Sequence, residues 1–156
     1  MNDSKQAAAF LPLSQENVAA APLLHACDLP VRWGDLDAFQ HVNNTIYFRF
    51  MEQCRIEWFG LLGAALSDTD QVPNLVGAEC RFLRAILYPA TVRVTIRLGR
   101  WNEKVVQTFH EIWNGETLAA IGDCRLLWMS IEEQRSVPLP AAVRARLDDI
   151  MASCRG

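Results

Sequence analysis

Asp35, Asp37 and His41 stand on one short stretch, directly ahead of Asn43-Asn44 and a long apolar segment. A carboxylate and an imidazole can accept or deliver a proton, and a carboxylate can also attack an electron-poor carbon. Asn43 or Asn44 is a natural helix N-cap, because its short side chain accepts a hydrogen bond from one of the first backbone N–H groups. The N–H groups left free at such a terminus, with the helix dipole behind them, favour negative charge on a nearby oxygen. A base or nucleophile, a second titratable group and unpaired donors therefore meet in one place. Asp35 sits in a Gly-Asp turn and is expected to hydrogen-bond its own backbone rather than to react.

These residues need a helix behind them. Tyr47, Met51, Cys54, Trp58 and Leu61 recur at steps of four, three, four and three, the period of a helix face, and predict a helix through Leu62 with Gly60 and Gly63 at its fraying end. Phe48, Phe50, Ile56 and Phe59 lie off that face, so the apolar surface reaches most of the way round and the helix is expected to be buried. His25 to Trp33 reads as a strand before it. Beyond it the period becomes two. Val76, Ala78, Cys80 and Phe82 share one parity up to Tyr88-Pro89. From Thr91 to Arg100, Val92, Val94, Ile96 and Leu98 point inward, while Thr91, Arg93, Thr95 and Arg97 are expected to meet water. Val105 to Trp113 and Thr117 to Met129 form a hairpin about Asn114-Gly115. Pro140 opens a small helix over Ala141 to Met151. The order predicts an α+β fold in which an antiparallel sheet of about five strands wraps a long central helix.

The chain has 156 residues, 51% of them hydrophobic and 21% charged, which fits one domain over 1–156. Residues 1–24 carry Pro12 and Pro22 in an Ala-rich stretch and are expected to be a loosely ordered extension, with Ser14 able to cap a short helix through Ala21. Residues 138–156 hold the C-terminal helix. A net charge of −3 argues against nucleic acid or an anionic membrane as partner. Five widely spaced cysteines without ligand spacing read as buried, reduced thiols. No apolar run is long enough to span a bilayer and no export signal is seen, so a cytoplasmic location is expected.

The run Arg32-Trp33-Gly34-Asp35-Leu36-Asp37, His41-Val42-Asn43-Asn44 and Tyr47, with Glu52 and Arg55 on the helix, resembles the 4-hydroxybenzoyl-CoA thioesterase-like branch of the hot-dog-fold acyl-CoA thioesterases. The likeness runs from about Leu29 to Leu147 and takes in Phe82-Leu83-Arg84, Tyr88-Pro89 and Pro138-Leu139-Pro140. It departs at Gln40, where relatives often have Gly, and at Met129-Ser130-Ile131, where they often have Asp. The resemblance implies a hot-dog fold, an acyl-CoA substrate, no metal or organic cofactor, and a homodimer or homotetramer with sites between subunits. It implies Asp37 as nucleophile or general base and the backbone N–H of Asn44 as the donor that polarises the thioester carbonyl.

His41 then either orients the loop or acts as a second acid or base. Asn43 either caps the helix or holds the substrate carbonyl, and Tyr47 is either core or acyl-pocket wall. Arg84, near a strand end, either meets CoA phosphates or is an exposed edge residue. Glu52 and Arg55 suit an intrahelical ion pair. Two other readings stay open. One is a non-hydrolytic acyl-thioester binding or regulatory module. The other is a hydratase or dehydratase, against which the D-x-x-x-H spacing of Asp37 and His41 weighs.

Overall fold

The structure is a computed structural model and describes residues 9–62 and 70–154. Helix α2, Asn44–Leu61, forms where the four-three spacing requires it. Asn43 is its N-cap, its side-chain oxygen accepting the Thr45 N–H at 2.9 Å. Tyr47, Phe50, Met51, Cys54, Trp58 and Phe59 are buried, each of the large ones contributing about 1.5–3 kcal/mol relative to an exposed side chain. The expected burial does not extend all round the helix: Phe48 and Ile56, off the buried face, are exposed, as is Leu61, which is in line with Cys54 and Trp58 but sits at the last turn. Gly63 lies outside the described residues.

The sheet is antiparallel and contains β1 (Leu23–Pro30), β2 (Gln71–Phe82), β3 (Thr91–Trp101), β4 (Val105–Asn114) and β5 (Thr117–Ser130), in the spatial order β1-β3-β4-β5-β2. A two-residue strand, β6 (Arg135–Ser136), adds to β5. The curled sheet with one long helix packed against it is a hot-dog fold. Val92, Val94, Ile96 and Leu98 of β3 lie fully buried on the helix side, joined by Val106 and Ile112 of β4 and Leu126 and Trp128 of β5. The β4–β5 hairpin forms one residue further on than its Asn-Gly signal, with Asn114 paired to Thr117 and Gly115 at φ +60° opening the loop. Helix α3, Ala141–Ser153, seats Val143 and Leu147 against the same core. No helix among the described residues is long and apolar enough to cross a membrane.

Gly122 on β5 lies against Met51 of the helix. A Cβ there would overlap the Met51 sulfur and come within 3.3 Å of the Glu79 carbonyl oxygen, and Met51 is 1% exposed, so any shift is made inside a packed core. Gly122→Ala is therefore expected to cost about 1–3 kcal/mol through overpacking. Chemical denaturation checks this, and an unchanged midpoint contradicts it.

Three expectations need correction. The first eight residues of the supposedly loose extension lie outside the described residues, but the rest of it is packed. Ser14 caps helix α1, Gln15–Ala20, and Leu13, Val18 and Ala21 are buried against Phe109 and Ile121 on the sheet's outer face. Composition alone misses this, because a few well-spaced apolar side chains suffice to dock a short segment. For the same reason the outward side of β3 does not simply meet water. Thr95 is buried, its hydroxyl donating to Glu111 at 2.9 Å, and Arg97 is half covered. The thiols are free as expected, but only Cys54 and Cys124 are buried; Cys27 and Cys80 are half-buried and Cys154 is exposed.

Candidate active site

The loop ahead of α2 is built from its own polar groups. Asp35 closes a single 3-10 turn, Trp33–Asp35, by accepting the Arg32 N–H on its carboxylate at 2.8 Å. Its backbone carbonyl accepts the Asn43 N–H at 2.8 Å, tying the turn to the helix cap. Two residues on, one oxygen of the Asp37 carboxylate accepts the N–H groups of Phe39 at 2.8 Å and His41 at 3.3 Å. The Asp37 N–H in turn donates to the His41 carbonyl at 2.8 Å. This tight reversal places Gln40 at φ +62°, the left-handed region that glycine enters freely, which gives a backbone reason for the glycine of the resembling sequences.

The segment after β2 braces the loop from the other side. The Ile86 carbonyl accepts the Val42 N–H at 2.9 Å, and Leu83 and Arg84 donate to the Ala119 carbonyl at 2.8 and 3.0 Å. Between the two lies a cleft of about 310 Å³ lined by Asp37, His41, Asn44, Tyr47, Phe82 and Arg84, among others. Asp37 is half-buried, while His41 and Asn44 are exposed. The backbone N–H of Asn44, at the first helical position, is one of those an α-helix leaves without an intrahelical partner. The ring of Tyr47 is 3% exposed and meets Phe82 edge to face at 5.0 Å, so it is core and cleft floor at once. Burial raises its phenol pKa, offset in part by the Ile86 backbone. Arg84 is exposed among the lining residues, and its guanidinium donates to the Leu83 carbonyl at 2.7 Å, one of the five N–H groups it carries.

Asn43 is not among the residues lining this cleft. Its side-chain oxygen is taken up by the Thr45 N–H and hydroxyl, both at 2.9 Å. Arg55 does not pair with Glu52, which is exposed. Arg55 is 6% exposed and turns beneath the helix, its guanidinium 3.7 Å from the Cys124 sulfur. The helix face it occupies, between Met51 and Trp58, leaves it no route to water. Phe82 and Leu83 belong to the resembling stretch, yet sequence reasoning does not place them in the cleft, because a strand's parity says nothing about which loop it ends against.

The sequence profile of the thioesterase-like superfamily matches residues 31–147, which is most of the chain, so the protein belongs to that superfamily. Among solved structures, a candidate thioesterase from Pseudomonas aeruginosa is 35% identical, with a TM-score of 0.75 over 80% of this chain and 98% of its own. A thioesterase from Thermus thermophilus, complexed with coenzyme A and zinc, is 29% identical, with a TM-score of 0.72 over 84% of this chain and 95% of its own. A 1,4-dihydroxy-2-naphthoyl-CoA thioesterase from Synechocystis shares the fold at 18% identity, with a TM-score of 0.71 over 80% of this chain and 96% of its own. No curated protein sequence matches the chain.

Proposed function

We propose that this protein hydrolyses acyl-CoA thioesters to a carboxylic acid and free CoA. The observation that carries the reading is the cleft itself. It sets the Asp37 carboxylate and the Asn44 N–H at the start of α2 around one opening, with Tyr47 and Phe82 as an apolar wall and Arg84 at the mouth. The CoA-bound relative from Thermus thermophilus supports CoA as the carrier.

The unengaged oxygen of Asp37 acts in one of two ways. It attacks the thioester carbon, forming a mixed anhydride as the C–S bond breaks and CoA thiolate leaves, and water then hydrolyses the anhydride. Alternatively it takes a proton from water as the water oxygen adds to the carbon, and that proton passes to the departing sulfur. In both, the carbonyl oxygen becomes an oxyanion facing the Asn44 N–H, where a preorganised donor is worth about 3 kcal/mol. His41 holds the Asp37 turn through its backbone and presents its ring to the opening as a second acid or base. Tyr47 contacts the acyl group, Arg84 contacts CoA phosphate, and Asn43 fixes the direction of the Asn44 N–H through the cap.

Thiol release from a panel of short, long, branched and aryl CoA thioesters tests the reading, with acyl carrier protein thioesters as the comparison carrier. Turnover of at least one CoA thioester is expected. Saturable binding with no thiol released across the panel would instead identify an acyl-thioester binding module.

The reading includes a homodimer or homotetramer assembled through β2. That strand is a sheet edge, bulged at Val76, and Leu75, Val76 and Phe82 expose about half of their surface. Pairing two such edges satisfies their free backbone groups and brings a second copy against the open side of the cleft at Phe82. Light scattering is expected to give at least twice the 17.6 kDa chain mass, and Val76→Asp to move it toward one chain. A fully active wild-type monomer would refute this.

A further inference from the structure

The middle of the sheet's outer face, over β3, β4 and β5, is occupied by the chain's own residues 9–22, and the contacts are specific rather than a loose apolar drape. Gln107 is fully buried, and its amide pairs with Leu11 in both directions: Nε2 donates to the Leu11 carbonyl at 2.7 Å and Oε1 accepts the Leu11 N–H at 3.1 Å. The same Nε2 donates to Asp123 at 2.8 Å, and Asp123 is held by Arg125 through contacts of 3.1 and 3.0 Å. The Arg125 guanidinium lies 4.3 Å from the centre of the Phe10 ring. Arg100 donates to the Ala9 carbonyl at 2.8 Å and Arg97 to the Ala21 carbonyl at 2.9 Å. Gly99 makes room for this, since a Cβ there would come within 2.8 Å of the Gln107 side chain. Every backbone group named is read by a side chain of the sheet, so the segment is seated in one register.

Without that segment the face would present Phe109 and Ile121 between cations and carboxylates: Arg97, Arg100 and Arg125 beside Glu111 and Asp123. A strand surface with an apolar centre flanked by both signs of charge can complement a copy of itself about a two-fold axis. We infer that residues 9–22 are a strap that closes the outer sheet face against back-to-back stacking of a second copy, confining assembly to the rest of the surface. The strap and the copy compete for the same ground: the apolar patch of Phe109 and Ile121, the amide of Gln107 and the free valences of Arg97, Arg100 and Arg125. Tethered to β1, the strap competes as an intramolecular ligand and wins at ordinary protein concentrations.

The test compares the full chain with deletions of residues 1–12 and 1–21, all of which keep β1 entire. Light scattering is run from about 1 to 100 µM, a range that spans typical weak self-association. The full chain is expected to hold one mass throughout. The longer deletion is expected to show a defined doubling of that mass as concentration rises, reversed by a synthetic peptide of residues 9–22, while the shorter one, which leaves Leu13, Val18 and Ala21 on Phe109 and Ile121, is expected to keep the full-chain mass. Should the longer deletion fail to fold, full-length Val18→Asp decides, because Val18 is buried against that patch and a carboxylate there lifts α1 from the sheet with β1 intact. A folded longer deletion, or a folded Val18→Asp chain, that keeps the full-chain mass overturns the inference. So does open-ended aggregation in place of a doubling. Neither result bears on thioester hydrolysis, which is read separately by thiol release.

Discussion

Asp37→Asn is expected to lower kcat by about a hundredfold or more on the best acyl-CoA substrate, the low end of what a positioned general base supplies. The change is nearly isosteric. The amide oxygen of Asn can still accept the Phe39 and His41 N–H groups that hold the turn, at 2.8 and 3.3 Å in the native protein, so the loop should survive. What disappears is the negative charge needed to attack the thioester or to take a proton from water. KM should stay within a few-fold, because the apolar wall of Tyr47 and Phe82 and the Arg84 cation are untouched. Asp35→Asn is the matched control: its carboxylate is engaged with the Arg32 N–H inside the 3-10 turn, so that variant should alter loop geometry and melting before chemistry. A folded Asp37→Asn protein turning over at near wild-type kcat removes Asp37 from the mechanism. His41 then becomes the leading base, and the pair should be tested together, since residues acting as one unit do not contribute additively.

The cleft is legible in the sequence because its parts are close in the chain or tied by local geometry. Asp37, His41, Asn44 and Tyr47 fall within one turn and the helix it enters, and the four-three spacing of Tyr47, Met51, Cys54 and Trp58 identifies the buried face of that helix. Arg84 and Phe82 reach the site only through the pairing of β2 with β5, whose ladder ends at Phe82 and Ala120. Periodicity gives a strand's two faces but not its neighbours. Spacing misplaces Arg55 because it offers an exposed Glu52 as partner, while burial is decided by the sheet beneath. The outer face is misleading for the opposite reason. Thr95, Gln107, Glu111 and Asp123 are polar and alternate as a solvent-facing side should, yet all four are buried, on the face where residues 9–22 dock. That segment is short and broken by Pro12 and Pro22, so its apolar residues show no sustained period that would mark a packed face.

His110 is singled out by no pattern in the sequence, and it is expected to set much of the protein's sensitivity to acid. It lies on the helix side of β4 and is completely buried. Nε2 reaches the Thr108 hydroxyl only at 3.4 Å, and Nδ1 has no well-formed hydrogen bond. Burial, and then the charge of Arg55 from α2, hold its pKa down to about 3, with the Thr95 backbone opposing this in part. The imidazole is therefore neutral in the folded protein, while in the unfolded chain it takes up a proton below its ordinary value of about 6.5. Its contribution to stability is complete above about pH 6.5 and is lost as pH falls toward 3, because across that window the unfolded chain binds the extra proton. At pH 4.5 the loss amounts to about 2–3 kcal/mol. His110→Leu removes the titrating group and the poorly satisfied nitrogens at similar volume. Denaturation curves for the two proteins should shift relative to each other by about that amount between pH 7.5 and 4.5, in favour of the variant in acid. The other carboxylates and histidines titrate in both proteins and cancel in the comparison. Stability curves that run parallel over the whole range would mean that His110 gains its proton in the folded state as readily as in the unfolded one.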